Sequence, residues 1–295
     1  MVTTFINPFT DFGFKKIFGE EASKPHLIDF LNSLLPDDAK IADLSFKNLE
    51  QLPRSEDERK AVYDIYCRGK NGEYFIVELQ KVKQINFKDR TLYYATFPIQ
   101  DQAPKGDWDY LLQPVYCVGV LGFTFDDKKA NRTEVVHTVE LKDQNNEVFY
   151  KKLTFIYLEM PNFDKPLEQL ETRLDKWLYF LKNLVDLQQI PELFKEEAFL
   201  SAFETAKYAN LEPSERDSYE YSLKSLRDNY SAFKSAREEG LLEGEAKGRE
   251  AGILEGELKA KLEVARNSKA TGLTLEQIQA ITGLSTEELE QNGIS

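Results

Sequence analysis

Hydrophobic and polar positions divide the chain into two parts, and the first part mixes helical and strand-like patterns. Apolar residues recur at helical spacing over 25–35 and over part of 11–18, so both segments are predicted to be helices. A helix is also predicted over 89–100. Strands are predicted over 41–48, 61–67, 74–80, 115–122, 134–141 and 153–159. The run at 115–122 is continuously apolar, which is typical of a strand buried on both faces.

The second part of the chain, from Leu167 onward, has only helical patterns. An apolar stripe with a 3.6-residue period runs from Leu167 to Leu184, and further helices are predicted over 192–209 and 214–234. The sequence therefore predicts an α/β core followed by an all-α C-terminal region. The expected divisions are a core domain over 1–190, a helical extension over 191–235, a charged helix over 236–265 and a short helical pair over 266–295.

The segment 238–263 carries a glycine at every fourth position. These glycines are Gly240, Gly244, Gly248, Gly252 and Gly256. Each interior glycine costs a helix ~1 kcal/mol, and close approach of a second helix along the glycine row would compensate. The prediction is a homo-oligomer formed through 238–263. The alternative is a solvated, charged linker.

Composition and charge exclude several classes of protein. The 295 residues contain 38 basic and 51 acidic side chains, and the net charge of −13 argues against binding nucleic acid by bulk charge. An aromatic content of 12% excludes a disordered chain, and two cysteines exclude a disulfide scaffold. Cys67 and Cys117 are expected to be buried in strands. No apolar run is long enough to span a bilayer and the N-terminus has no signal-peptide pattern, so we expect a cytoplasmic protein without a membrane partner.

The candidate chemistry lies in the hairpin predicted over 61–80. The turn at 70–73 contains Asn71-Gly72, a strong hairpin signal, and it can bring Asp64 beside Glu78. Period-two alternation places Glu78 and Gln80 on one face. Two converging carboxylates repel each other unless a cation or a proton lies between them, and hard oxygen ligands suit Mg²⁺ or Mn²⁺. The alternative is a pair of acidic side chains that simply face solvent.

Four stretches of the sequence together resemble a known family. Asp64, Glu78 and Gln80 match the E-x-Q variant of the PD-(D/E)XK nuclease motif. The opening segment 7–19 (NPFTDFGFKKIFG) and the segment 109–116 (DYLLQPVY) are similar to the recombination-promoting nuclease (Rpn) family of that superfamily, often labelled transposases. The glycine-rich helix is also similar. The resemblance covers roughly residues 5–265.

This resemblance implies a fold, an activity and a site. The fold would be a restriction-endonuclease-like mixed sheet flanked by helices, within a nuclease-like domain over 1–190. Asp64 and Glu78 would hold Mg²⁺, for which Mn²⁺ can substitute, with the Leu79 carbonyl as a further ligand. Gln80 would stand where most relatives have a water-positioning lysine, and Asp11 would add a carboxylate. The implied activity is that of a metal-dependent DNA endonuclease in recombination or in mobile-element or phage-related processes.

The sequence departs from the family pattern in two places. Val62-Tyr63, not proline, precedes Asp64, and Gln80 carries no charge. Part of the electrostatic stabilisation must then come from elsewhere, or the rate is modest. Lys81 follows directly, but alternation points it to the opposite face.

A basic run follows the motif. Between positions 81 and 90 the chain has Lys81, Lys83, Lys88 and Arg90 against one acidic residue, a local net charge of +3. These side chains are predicted to contact DNA phosphates, although a solvated loop explains the run equally well.

Two other functions remain open at this stage. One is a non-catalytic, oligomeric DNA-binding or interaction protein on a decayed nuclease fold, which the missing lysine and the acidic balance favour. The other is a DDE-type transposase. That class spreads its carboxylates over distant strands and a late helix, whereas Asp64 and Glu78 lie fourteen residues apart on one hairpin.

Overall fold

The structure, a computed structural model, describes residues 4–51, 61–103, 106–107, 109–125 and 133–294. The helices are α1 (Asp11–Phe18), α2 (Lys24–Leu34), α3 (Phe87–Gln100), α4 (Arg173–Asn183), α5 (Glu197–Thr205), α6 (Pro213–Ala270), α7 (Leu275–Thr282) and α8 (Thr286–Gln291). The strands are β1 (Leu44–Phe46), β2 (Glu50–Gln51), β3 (Ala61–Val62), β4 (Ile65–Gly69), β5 (Tyr74–Gln80), β6 (Val115–Leu121), β7 (Val136–Lys142) and β8 (Val148–Glu159).

Six of these strands form one mixed sheet in the order β1-β4-β5-β6-β8-β7. The pairs β1–β4, β4–β5 and β7–β8 are antiparallel, whereas β5–β6 and β6–β8 are parallel. The crossover between the parallel strands β5 and β6 contains α3, as parallel pairing requires. The short strands β2 and β3 pair separately.

Helices cover both faces of the sheet, and each face has its own hydrophobic core. The larger core joins the sheet to α1, α2, α4 and α5, with Phe18, Phe30 and Trp177 in mutual ring contact. The second core joins the opposite face to α3 through Phe87 and Tyr157. All of β6 is buried, as its apolar run predicts. The restriction-endonuclease-like α/β architecture is confirmed.

The opening segment 7–19 builds the N-terminal turn of α1. The Thr10 side chain accepts a hydrogen bond from the Gly13 N–H and donates one to the Asn7 carbonyl. A Cβ at Gly13 would lie 2.1 Å from that carbonyl oxygen, so only glycine fits. The Asn7 N–H donates to the Tyr219 hydroxyl at the start of α6. The segment therefore fixes α1 in place.

Several element boundaries differ from the prediction. The single strand predicted over 61–67 is wrong, because β3 ends at Val62 and β4 begins at Ile65, which leaves Asp64 in the break between them. The strand predicted from 153 begins at Val148, since β8 continues beside β7 through a bulge. These differences arise from side-chain bonds and strand pairing, which hydrophobic alternation does not record.

The helical region also differs in two respects. The helix predicted from Leu167 begins only at Arg173, because the Thr172 side chain caps the Asp175 N–H and Asp175 returns the bond to the Thr172 N–H. The two helices predicted over 214–234 and 236–265 are one continuous helix, α6.

The described contacts divide the chain into two compact units, Met1–Tyr230 and Ser231–Ser295. The second unit has a small core of its own, formed by the end of α6 with α7 and α8 around Leu262, Ile278 and Leu289. Capping boxes at Thr274 and Ser285 begin α7 and α8, and these two helices form the short helical pair predicted over 266–295. Across the described part of the chain, no helix combines the length and apolar character that crossing a bilayer requires.

The five glycines of α6 all face open space. A Cβ built on any of them meets no atom within 4 Å. The helix also exposes apolar side chains, among them Leu242, Ile253 and Leu254. Self-association through 238–263 therefore stays a prediction, and the solvated linker remains its alternative.

Substitution of Gly13 tests whether the opening segment 7–19 stabilises the fold. Gly13→Ala should lower the free energy of unfolding by about 1–3 kcal/mol, because the added methyl group overlaps the Asn7 carbonyl. Urea titration measures the change. Gln100→Ala, at an exposed position in α3, is the control and should have little effect. Equal stability of Gly13→Ala and the wild type would contradict this reading.

Self-association is tested by blocking the glycine row. We predict that the wild-type chain has a mass above 34.1 kDa in light scattering, and that a Gly244→Leu/Gly248→Leu variant returns to 34.1 kDa because leucine prevents close approach of a second helix. Glu245→Leu adds the same bulk beside the row and should leave the mass unchanged. A monomeric wild type, or a double variant with the wild-type mass, would contradict self-association through 238–263.

Candidate active site

Asp64 and Glu78 meet at the open end of the β4–β5 hairpin. Ile65, the first residue of β4, pairs with Val77 of β5. The residue before it, Asp64, therefore lies opposite the residue after Val77, which is Glu78. Each carboxylate binds the other strand. The Asp64 N–H donates to Glu78 Oε1 at 3.3 Å, and the Leu79 N–H donates to Asp64 Oδ2 at 2.7 Å. These side-chain bonds replace the strand pairing and account for the break at Asp64.

Burial makes this carboxylate pair electrostatically costly. The Glu78 side chain is only 9% exposed, and burial, followed by the charge of Asp64, raises the pKa of Glu78 to about 8. Arg90 opposes that rise. Burial also raises the pKa of Asp64, against the Leu79 N–H and the Lys15 charge, which lower it. Two acids in this state favour a bound proton or a bound cation.

The donor set fits a hard divalent cation. One oxygen of each carboxylate accepts a main-chain N–H, which leaves Asp64 Oδ1 and Glu78 Oε2 for a ligand. The Leu79 carbonyl points to the same side of β5 as the Leu79 N–H, toward Asp64, because the N–H and C=O of a strand residue share a side. Three oxygens of this kind suit Mg²⁺ or Mn²⁺. Within the described residues, no third aspartate, glutamate, histidine or cysteine joins them.

Gln80 is neutral, but its hydrogen-bond partner Arg90 carries a positive charge into the site. Its Oε1 accepts a hydrogen bond from Arg90 Nη2 at 2.5 Å, and its Nε2 donates to the Val82 carbonyl at 2.9 Å. The same Arg90 nitrogen lies 3.9 Å from Glu78 Oε2. A guanidinium group therefore stands beside the acidic pair, on the face where the family pattern would place a lysine.

Helix α3 carries Arg90 and is hydrogen-bonded to residues of the sheet and of the break before β4. The Tyr63 hydroxyl, next to Asp64 in sequence, donates to the Tyr94 carbonyl at 3.1 Å. The Thr91 and Tyr157 hydroxyls share a buried hydrogen bond of 2.8 Å. Both contacts lie within about one helical turn after Arg90, so they hold this part of α3 against the sheet.

Asp11 lies near the pair without joining it. Its side chain is 64% exposed and forms an ion pair of 2.7 Å with Lys15 one helical turn later. The charges of both residues act on Asp64: Asp11 raises its pKa and Lys15 lowers it. A direct catalytic role for Asp11 stays a prediction.

The predicted phosphate-binding side chains take different positions. Lys81 Nζ lies 4.5 Å from the centre of the Phe9 ring, in the larger core on the opposite face, as alternation predicts. Lys83 Nζ donates to the Phe125 carbonyl at 3.0 Å, and Lys88 Nζ lies 4.8 Å from the Phe125 ring. The charged group of Arg90 contacts the site. Their contacts with DNA stay predictions.

Sequence reasoning missed two contributions to the site. Arg90 appears in the sequence only as one member of a basic run, and Lys15 only as part of the opening segment. The one available signal was the charge that Gln80 lacks, which required a cationic side chain from elsewhere. Neither residue is adjacent in sequence to the acids, so hairpin spacing alone does not locate them.

Comparison with known proteins assigns the chain to a family. Residues 8–236 match the family described as PD-(D/E)XK nuclease family transposase. The match spans most of the chain, and the protein therefore belongs to that family. No curated protein and no solved structure matches the chain.

The raised pKa of Glu78 predicts how stability depends on pH without metal. Because the folded state keeps a proton on Glu78 up to about pH 8, while the ordinary pKa is 4.5, folding stability is lost as the pH rises between those values. Glu78→Gln removes the titrating group, so its gain in melting temperature over wild type, measured in EDTA, should grow from about pH 4.5 to about pH 8 and then level off. A gain that is equal at all pH values would contradict the buried acid pair.

Proposed function

We propose that the protein is a metal-dependent DNA endonuclease that hydrolyses phosphodiester bonds. The observation that carries the proposal is the convergence of Asp64 and Glu78 at the end of one hairpin, each with a free oxygen, beside the Gln80–Arg90 pair. Membership of a nuclease family supports the choice of reaction and of DNA as the substrate. The proposed setting is DNA recombination or a mobile-element or phage-related process.

The proposed reaction is attack of water on the phosphate. The water oxygen forms a bond to phosphorus while the bond from phosphorus to the leaving sugar oxygen breaks. The water loses a proton to solvent, and the leaving oxygen takes one up. A bound Mg²⁺ or Mn²⁺ would lower the pKa of the attacking water and would neutralise charge on the phosphate. Asp64 Oδ1, Glu78 Oε2 and the Leu79 carbonyl would hold the cation. The Gln80 amide accepts a hydrogen bond from Arg90 and donates one to the Val82 carbonyl, which orients the guanidinium group.

A decayed, non-catalytic nuclease fold is the second candidate. Gln80 in place of a lysine favours it, as does the absence of a third acidic ligand among the described residues. Such a protein would bind DNA or another partner without cutting it. The first candidate cleaves DNA in the presence of a divalent cation, and the second does not.

Substitution of the two acids tests the proposed activity. Asp64→Asn and Glu78→Gln keep the shape of each side chain but remove the charge that binds the cation, so Mg²⁺-dependent plasmid nicking should fall by at least ~100-fold in each. Glu140→Gln, on β7, loses a carboxylate that pairs with Lys142 and should cut at the wild-type rate.

Melting curves accompany the cleavage assay and verify that each variant folds. Equal cleavage by the wild type and both site variants would overturn the proposal. DNA binding without cleavage in Mg²⁺ or Mn²⁺ would instead support the decayed-fold alternative.

A further inference from the structure

One of the three side-chain nitrogens of Arg90 has no hydrogen-bond partner among the described residues. Its Nη1 donates to Gln84 Oε1 at 2.7 Å and its Nη2 donates to Gln80 Oε1. The third nitrogen carries the Nε–H, which is buried and has no hydrogen-bond partner among the described residues. An unsatisfied buried donor destabilises the fold, so its presence in the site requires an explanation.

The Nε–H lies on the edge of the guanidinium group whose other nitrogen, Nη2, approaches Glu78. Nε and Nη2 form one edge of the planar group, and Nη2 stands 3.9 Å from Glu78 Oε2. Two parallel N–H groups on one edge form the fork with which arginine binds carboxylate or phosphate oxygens. Glu78 Oε2 lies too far away to fill the fork with a hydrogen bond. An anion beside the carboxylates can use this fork once a side-chain shift uncovers Nε, which is buried in the structure.

The surroundings fix the plane of the guanidinium group. Its central carbon lies 5.3 Å from the Phe87 ring centre and 5.7 Å from that of Tyr94. Gln80 and Gln84 hold the other two nitrogens. A lysine at this position would bring one charged nitrogen, and one nitrogen cannot satisfy both amides and also present a fork.

We propose that Arg90 is a catalytic residue that binds two oxygens of the scissile phosphate through Nε–H and Nη2–H. It thereby supplies, from α3, the positive charge that Gln80 does not carry, and it stabilises the charge that develops on the phosphate during attack. This inference rests on the proposed function. It assigns Arg90 a role different from that of Lys81, Lys83 and Lys88, whose charged groups contact Phe9 and Phe125.

A purely structural Arg90 is the competing explanation. In that case the guanidinium group only neutralises Glu78 and ties Gln80 to α3. Loss of Arg90 would then lower the melting temperature, but it would not change DNA affinity in the absence of cleavage, and a lysine would serve nearly as well.

The experiment compares Arg90→Gln and Arg90→Lys with the same two changes at Arg68. Arg68 is a matched control, because it also lies over a tyrosine ring, that of Tyr74, but at the opposite end of the same hairpin. The first readout is the dissociation constant for a short DNA duplex in Ca²⁺, which reports on phosphate contacts without requiring turnover. The second is the single-turnover cleavage rate in Mg²⁺. Melting curves show which variants fold.

We expect Arg90→Gln to weaken DNA binding by about 10-fold, and Arg90→Lys to cut at least ~100-fold more slowly than wild type with a smaller loss of affinity. Both Arg68 variants should match the wild type in both readouts. Guanidinium ion added to Arg90→Ala should restore part of the cleavage rate, since it replaces the missing group.

Two outcomes separate the inference from the proposed function. If Arg90→Gln binds DNA as tightly as Arg68→Gln, or if Arg90→Lys cuts at the wild-type rate, the inference is overturned while the endonuclease proposal stands. If the wild type and Asp64→Asn cut equally, the endonuclease proposal fails, and the Ca²⁺ binding comparison still decides whether the Arg90 fork binds phosphate.

Discussion

The repulsion between two buried carboxylates is the constraint on which the site depends. Asp64 and Glu78 meet at a hairpin end where burial raises the pKa of both, so neither can ionise cheaply without a cation. Each acid offsets part of this cost by accepting a main-chain N–H of the other strand. These bonds hold the pair together and break the strand at Asp64. The remaining cost creates an affinity for positive charge.

The rest of the core places a positive charge, that of Arg90, beside the two acids. The parallel crossover from β5 to β6 requires a connecting segment that contains a helix, and α3 fills that role. Tyr63 and Thr91 fasten α3 to the sheet, and Arg90 then reaches Gln80 and approaches Glu78. On the other side, the opening segment fixes α1, whose Lys15 and Asp11 charges act on Asp64. The sheet, the crossover helix and the first helix thus each contribute to one electrostatic balance.

Sequence patterns predicted most of the sheet and the pairing of the acids. The hairpin follows from Asn71-Gly72, and β5 has the predicted bounds because its alternation and its turn agree. The break at Asp64 was not predictable, since it arises from side-chain bonds that have no hydrophobic signal. The start of α4 was missed for a similar reason, because the Thr172 cap outweighs an apolar stripe that continues before it.

Tertiary contacts determine what the sequence left open in the site. Gln80 carries no charge, and only the packing of α3 against the sheet reveals that the Arg90 guanidinium group lies beside it. Conversely, the basic run after the motif predicts four similar phosphate contacts, whereas the structure separates Arg90 from three lysines whose charged groups contact protein. Sequence spacing places residues along a strand or helix, and it does not determine which side chains meet across the fold.

The most direct test of the cation site is anomalous scattering from a crystal of the protein soaked in Mn²⁺. We predict a single strong peak between Asp64 Oδ1 and Glu78 Oε2, within bonding distance of the Leu79 carbonyl, that is absent from Glu78→Gln crystals. A Mn²⁺ peak elsewhere, or no peak at these carboxylates in well-ordered wild-type crystals, would contradict a metal site at Asp64 and Glu78.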